Sequence, residues 1–163
     1  ELVTVLFAKG IQNIAYLGSN MDQMVNRCRY QGYEEAYRKG KRKLNQDLVY
    51  TDLSSRAMVE KAVEELKKSG VECILCQDDY ICDEVVRKLA RMGVRIPDQM
   101  KVASCHYSRI LENYPVTITS LKFNITELGR RSCQVLLDMI HGKTVPDKTL
   151  LDYEIILKES TKG

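Results

Sequence analysis

The chain has 163 residues, of which 44% are hydrophobic and 29% charged, and its 25 Lys and Arg residues against 22 Asp and Glu residues give a net charge of +3 with both histidines neutral. This composition excludes collagenous, disordered and low-complexity chains, and it fits one folded domain or one domain with a fragment of another. A charge of +3 is too small to indicate a nucleic-acid-binding surface, which requires a clear excess of Lys and Arg on one face.

The chain shows no sequence signal for membrane insertion or secretion. Its uncharged apolar runs, such as residues 14–17, are far shorter than the ~20 residues of a membrane-spanning helix. The amino-terminal residues start with Glu1 and lack the basic start and the small-residue cleavage site of a signal peptide. We expect the chain to begin inside a longer protein.

The six cysteines lie mostly among apolar residues, which is typical of small buried side chains in a reducing compartment. Cys73 and Cys76 have the spacing of half a zinc site. Both fall in an apolar run that is predicted to be a strand, where residues three apart point to opposite faces and cannot easily share a metal. We therefore expect no metal site and no cofactor.

The first half of the chain alternates between helical and strand periodicity, the pattern of β-α units around a parallel sheet. Gly10 and Gly70 follow two of the predicted helices and act as stop signals. The predicted helices are 2–8, 24–39 and 57–68, and the predicted strands are 11–17 and 48–50.

The second half continues the alternation with strands at 71–76, 100–104, 116–121 and 150–157 and helices at 81–92 and 125–141. Asp79 is predicted to cap the first of these helices. Asn124 with Glu127 three residues later resembles a capping box at the start of the second. The residues of that last helix predicted to face inward are Leu128, Leu136, Leu137 and Ile140.

Successive β-α units predict an α/β fold, an open three-layer α/β/α sandwich with a mainly parallel sheet. Ligands of such sheets bind at the carboxyl ends of the strands. Four polar turns end the predicted strands, at residues 18–20, 51–53, 77–79 and 104–106. Because these turns share one edge of the sheet, that edge is the default binding site.

The polar residues of this edge do not form a recognised catalytic motif, and no Walker loop, dinucleotide-binding turn or nucleophile elbow occurs in the sequence. Asp78 and Asp79 could form an acidic pair, but capping alone explains Asp79. His106 could act as a general base, although without a positioned nucleophile a hydrogen-bonding role is favoured. Arg29 could grip vicinal hydroxyls or a carboxylate with its forked donors, with an ordinary surface arginine as the alternative.

Several segments resemble, in order and with matching spacing, the effector-sensing region of LacI/GalR-family transcription regulators. The most specific are the turn Ile96-Pro97-Asp98 and the ending Lys158-Glu159-Ser160-Thr161. The others are residues 29–36, 77–79, 115–121 and 127–129.

This resemblance implies a periplasmic-binding-protein-like type I sensor of two lobes, with the effector between them. Residues 1–10 resemble the last helix of the first lobe, 11–121 the second lobe, and 122–163 the return helix and strand of the first lobe. The family's helix-turn-helix headpiece has no counterpart in the chain. The resemblance thus implies a cytoplasmic regulator, not an enzyme, that contacts operator DNA only through a headpiece absent from this chain and contacts no membrane.

The resemblance also implies ligand-binding residues. Arg29 matches the arginine that grips effector hydroxyls, and Asp78 falls where an Asn or Asp contacts the ligand. Leu53 stands where several members place an aromatic ring, and His106 replaces the usual Asp. The expected effector is a sugar, with a purine, a phosphorylated sugar or an unusual glycan product as alternatives.

The family forms homodimers through the second lobe, and the matching surface includes both a helix and the loop after the predicted strand 100–104. The apolar residues of that surface could instead pack on their own core. The candidate interface residues are Val85, Leu89, Ile110, Leu111 and Tyr114.

Two other functions remain open from the sequence. The first is a solute-binding protein of a sugar importer with the same sensor fold, against which the cysteines and the Lys-Glu-Ser-Thr ending both count. The second is an α/β hydrolase that uses Asp78, Asp79 and His106.

Overall fold

Helices and strands alternate along the chain in the computed structural model, which describes residues 1–162. Every predicted helix and strand is present, with ends that differ by a few residues. The elements are α1 (Leu2–Ala8), β1 (Ile14–Leu17), α2 (Met24–Lys39), β2 (Val49–Tyr50), α3 (Arg56–Lys68), β3 (Cys73–Cys76), α4 (Asp79–Arg91), β4 (Lys101–Ser104), β5 (Thr119–Phe123), α5 (Ile125–Ile140) and β6 (Tyr153–Ile156). A short 3₁₀ helix, Arg109–Asn113, interrupts the loop predicted after β4.

The six strands form one sheet in the order β2-β1-β3-β4-β5-β6. The first five strands are parallel to their neighbours, and β6 runs antiparallel to β5. The prediction of a mainly parallel α/β sheet is confirmed. Because the chain enters the sheet at β1 and then adds strands on both sides of it, the loops after β1 and β3 lie next to each other.

Side chains that alternate along the central strands divide the core into two halves. Ala15, Ile74 and Cys76 point to the face covered by α3 and α4, where Val63, Val85 and Leu89 are fully buried. Ile14, Tyr16, Cys73 and Leu75 point to the face covered by α1 and α2. Helices on both faces of one sheet make the predicted three-layer α/β/α sandwich.

The carboxyl-terminal segment attaches to the sheet through buried side-chain hydrogen bonds. The Ser160 hydroxyl donates to the Val102 carbonyl at 2.6 Å and accepts from the Thr119 amide at 2.9 Å. The Thr161 and Thr119 hydroxyls lie 2.6 Å apart. These contacts give the Lys-Glu-Ser-Thr ending a structural role, since they join β4 and β5 to the chain end.

The helix α5 has its predicted cap, because the Asn124 side chain accepts a hydrogen bond from the Glu127 amide at 3.0 Å. The prediction that its apolar residues face inward is wrong for this structure. None of its residues is buried. The exposed ones include Leu128, Leu136, Leu137 and Ile140. The reason is that the six-stranded sheet offers no surface to this helix within residues 1–162.

The predicted boundary between residues 121 and 122 falls inside β5. This strand pairs with β4 through Thr119 and Ser120 and with β6 from Ser120 to Phe123.

Among the helices of residues 1–162, none combines the length and the apolar character that a membrane-spanning helix requires.

Candidate functional site

The carboxyl ends of β1, β3 and β4 are neighbours at one edge of the sheet. The three polar loops that follow these strands, at residues 18–20, 77–79 and 104–106, therefore meet as predicted. The fourth loop, at 51–53, follows β2 at the outer side of β1. We describe this edge as the cleft edge.

Gln77 organises the centre of the cleft edge, a role that the sequence analysis did not assign. It is fully buried. Its Oε1 accepts hydrogen bonds from the Tyr16 hydroxyl at 3.2 Å and from the Ser19 amide at 3.3 Å. Its Nε2 donates to the Ser19 hydroxyl at 3.3 Å. A polar residue at the end of an all-apolar strand is the one sequence signal that could have identified it.

The helix α4 is capped by Asp78, so the predicted cap at Asp79 is wrong by one residue. Asp78 has extended backbone angles, and its Oδ1 accepts a hydrogen bond from the Ile81 amide at 2.9 Å. Its second carboxylate oxygen has no hydrogen-bond partner within residues 1–162. This oxygen is also not among the buried side-chain atoms that lack a hydrogen bond there. That oxygen of Asp78 is therefore open to solvent.

Asp79 turns instead toward His106, with Oδ1 3.3 Å from Nδ1 of the imidazole. Burial by itself raises the pKa of Asp79, but hydrogen bonds from Ser108, from His106 and from its own backbone amide outweigh burial and hold the pKa below its usual range. Asp79 is consequently an ionised, acceptor-only group at neutral pH.

Both the backbone and the ring of His106 contact neighbouring residues. Its backbone amide donates to Oγ of Ser104 at 3.2 Å, and that hydroxyl donates to the His106 carbonyl at 2.7 Å. The ring stacks on Phe123 with centroids 6.0 Å apart and planes 22° apart. About a third of the side chain (31%) remains exposed.

Arg29 lies on α2 in a cavity of about 270 Å³, whose lining also includes Cys105 and Phe123. Within residues 1–162 its guanidinium has no carboxylate or hydrogen-bond partner, and its nitrogens are not among the buried unpartnered atoms. The guanidinium is therefore free to bind a ligand.

The charges of Arg29 and Asp78 have opposite effects on the pKa of the Cys105 thiol. Burial raises the pKa of the Cys105 thiol to about 12, while the charge of Arg29 lowers it and that of Asp78 raises it. Asp78 and His106 lie on neighbouring loops at one edge of the sheet, and Arg29 lines a cavity with Cys105, the residue before His106.

The prediction that the side chain of Leu53 contacts the ligand is wrong. Its side chain is only 7% exposed and belongs to the core cluster that contains Val59 and Val63. Its backbone amide donates to the Gly18 carbonyl at 3.0 Å, which folds the loop after β2 against β1. A side chain turned into the core offers no surface to a ligand.

The prediction of a dimer contact is wrong for three of the candidate interface residues, because their side chains are also buried. Val85 and Leu89 are fully buried in the chain's own core, and Leu111 is 2% exposed. Ile110 and Tyr114 also pack against that core but stay partly exposed. The three buried residues therefore pack on the chain's own core, which was the alternative to an interface.

The cysteines form no metal site within the described part of the chain. Cys73 and Cys76 lie on opposite faces of β3, in different halves of the core. All six cysteines are free, with Cys28 and Cys133 exposed.

The fold and the site together define an α/β domain that carries polar loops at the carboxyl edge of a mainly parallel sheet. The chain belongs to the family of periplasmic binding protein-like domains, whose model matches residues 3–161. The resemblance to the effector-sensing region of LacI/GalR-family regulators is confirmed.

Two curated relatives are regulators by name. The HTH-type transcriptional regulator GntR of Pseudomonas aeruginosa is 27% identical, over 96% of this chain and 46% of its own length. The HTH-type transcriptional regulator CelR of Thermobifida fusca is 26% identical, over 95% of this chain and 46% of its own length. The chain thus spans about half the length of the curated relatives it matches.

Solved structures share the fold. The transcription regulator CcpA of Lactococcus lactis aligns with a TM-score of 0.87 at 24% identity, over 98% of this chain and 59% of that one. A complex of the transcriptional regulator CelR with cellobiose aligns with a TM-score of 0.85 at 25% identity, over 96% of this chain and 49% of that one.

Proposed function

We propose that this chain is the second lobe, with parts of the first, of the effector-binding region of a transcription regulator. The observation that carries the proposal is the unpaired guanidinium of Arg29, which lines a cavity at the cleft edge beside Cys105. An open cation with forked donors at the carboxyl ends of parallel strands is suited to ligand oxygens. The regulators among its relatives support a sensory role over transport by an importer or catalysis by a hydrolase.

The proposed effector is a sugar. The cleft edge combines donors on Arg29 with acceptors on the open oxygen of Asp78 and on the ring of His106. Such a mixture suits hydroxyl groups, each of which donates one hydrogen bond and accepts others. The complex of the related regulator CelR with cellobiose supports this class of ligand.

The cleft requires a second wall, which we propose is the first lobe of the same protein. Residues 1–10 and 122–163 would belong to that lobe and 11–121 to the second. The apolar residues that α5 exposes, together with the edge strand β6, support this division, because a soluble domain rarely leaves such a surface uncovered. Closure of the lobes on the effector would alter operator binding by a headpiece outside these residues.

We further propose that the regulator is a cytoplasmic homodimer. Ile110 and Tyr114 remain as candidate contacts, since both are partly exposed. Tyr114 borders an apolar groove of about 610 Å³ that also includes Val86 and Ile96. Sedimentation of the whole protein, with and without Tyr114→Glu, tests this contact.

A thermal-shift screen of the whole protein tests the proposed effector class. Neutral sugars, phosphorylated sugars and purines are compared at equal concentration, because a ligand that binds only the native state raises the melting temperature. A rise with sugars supports the proposal. A rise with purines alone, or turnover of a hydrolase substrate that His106→Ala abolishes, would contradict it.

A further inference from the structure

The pair formed by Asp79 and His106 determines which side of the imidazole can meet a ligand. Nδ1 lies 3.3 Å from the Asp79 carboxylate. The hydrogen bonds from Ser108 and from the α4 backbone keep that carboxylate ionised, so it can only accept. In a neutral imidazole beside such a group the proton belongs on Nδ1, and Nε2 carries the lone pair.

Nε2 of His106 makes no hydrogen bond with the described part of the chain. Within residues 1–162, the two hydrogen bonds between the His106 backbone and Ser104, together with the contact of Nδ1 with Asp79, leave Nε2 without a partner. Nε2 is not among the buried side-chain atoms that lack a hydrogen bond in this part of the chain, so it is at least partly accessible to solvent. Phe123 covers a face of the ring. Nε2 is therefore the ring nitrogen that remains available for a hydrogen bond to a ligand.

We propose that Asp79 is a positioning residue that orients the His106 ring and favours the Nδ1–H tautomer of its neutral form, so that Nε2 of this form accepts a hydrogen bond from a hydroxyl of a neutral sugar. This inference rests on the proposed function, since it assigns the chemistry of one contact in the same cleft. A carboxylate or phosphate oxygen at this position would bring no proton to the Nε2 lone pair. Arg29, which lines a cavity with Cys105 and Phe123, would supply donors to other oxygens of the sugar.

Nitrogen NMR of the whole protein with isotopically labelled histidine tests the tautomer without any ligand. Spectra are recorded at about pH 8, where imidazoles are mostly neutral, and His106→Gln identifies the signals of His106. We expect a protonated Nδ1 and an unprotonated Nε2. Asp79→Ala should move the proton to Nε2, the form that free histidine prefers.

Asp83→Ala is the matched control, because it removes another α4 carboxylate, one that binds Arg87 and Tyr114 and not His106. It should leave the tautomer unchanged. Where Asp79→Ala is too unstable for spectroscopy, Asp79→Asn keeps the side-chain volume and should yield a mixture of the two forms. An Nε2–H signal in the unsubstituted protein, or no response to either Asp79 variant, overturns the proposal.

Calorimetry tests the contact itself, with glucose, galactose and cellobiose and their singly fluorinated deoxy analogues as probes. Fluorine replaces a hydroxyl without donating, so at the position that faces Nε2 it should weaken binding on the order of tenfold. The loss should shrink in Asp79→Ala and persist in Asp83→Ala. A loss of equal size in both variants overturns the assigned contact.

Failure of the proposed His106 contact and failure of the proposed function give different experimental results. Binding of glucuronate at least as tightly as glucose, with the Nδ1–H tautomer present, overturns the preference for a hydroxyl but leaves a sugar-binding regulator. A protein that binds none of the sugars contradicts the proposed function, and the nitrogen spectrum by itself then confirms or overturns the orientation of His106.

Discussion

The side-chain oxygen Oε1 of Gln77 lies 2.5 Å from the position that a β-carbon on Gly18 would occupy. The same oxygen accepts hydrogen bonds from Tyr16 and Ser19. Gln77 thus fastens the loop after β1 to the end of β3, and Gly18 leaves the space that this contact requires. The cleft edge depends on this pair for its shape.

We expect Gly18→Ala to lower the free energy of unfolding by about 1–3 kcal/mol, because buried groups must shift to admit a methyl group. Gly32→Ala is the control. Gly32 lies within α2, where an added β-carbon meets nothing within 4 Å, and the change should raise stability by about 0.5–1 kcal/mol. Urea unfolding measures both. Equal effects of the two substitutions would contradict the close approach at Gly18.

We expect Arg29→Ala to weaken effector binding by about 1.5 to 3 kcal/mol, the range for losing a charged hydrogen-bond partner. Isothermal calorimetry on the whole protein measures the change. Arg38→Ala serves as the control, because Arg38 lies on the same helix but pairs with Glu35 at the surface. Affinity that is unchanged in Arg29→Ala would place the effector in a different pocket.

Ser160→Ala should destabilise the chain by about 1–3 kcal/mol, since it leaves a buried carbonyl of Val102 and a buried amide of Thr119 without their partner. Ser132→Ala removes an exposed hydroxyl from α5 and should change stability by at most about 0.5 kcal/mol. Chemical unfolding monitored by circular dichroism compares them. A loss no greater than that of Ser132→Ala would mean that the chain end is not held by Ser160.

A thiol reagent should modify only Cys28 and Cys133 in the native chain, because the other four cysteines are buried. Burial also raises the pKa of Cys105 to about 12 and that of Cys73 still further, which keeps both as unreactive thiols at neutral pH. Mass spectrometry after brief labelling counts the modified sites, and unfolding in urea should expose all six. Rapid native labelling of Cys73 or Cys76 would show that the central strand is accessible.

Local sequence patterns predicted the elements well where one periodicity runs uninterrupted. The helix α2 has the bounds expected for it, 24–39, because its apolar spacing and its basic last turn are both local signals. The mainly parallel sheet followed from the repeated β-α units. The alternation of side chains along a strand was also predicted correctly. Cys73 and Cys76 are an odd number of residues apart and therefore point to opposite faces of the sheet.

The cap of α4 shows where local patterns stop being sufficient. Asp78 and Asp79 are adjacent carboxylates, and either satisfies the composition rule for a cap. The backbone angles decided between them, because the extended residue, Asp78, aims its side chain at the Ile81 amide. Asp79 then begins the helix and points at His106, a residue that a local pattern cannot place beside it.

Burial at the predicted contact residues was likewise a tertiary outcome. Val85 and Leu89 lie on the apolar stripe of α4, and the sequence identifies the stripe but not whether the sheet or a partner covers it. The structure places the sheet there. For Leu53, the hydrogen bond from its backbone to Gly18 turns a loop residue into a core residue.

The sequence by itself determined the α/β class, the element order and the edge of the sheet that carries Asp78 and His106, because periodicity and strand direction are properties of short segments. Only the tertiary structure decided the role of Gln77, the exchange of roles between Asp78 and Asp79, and the exposure of α5. These depend on distances between residues far apart in the chain, which packing sets and local propensity does not.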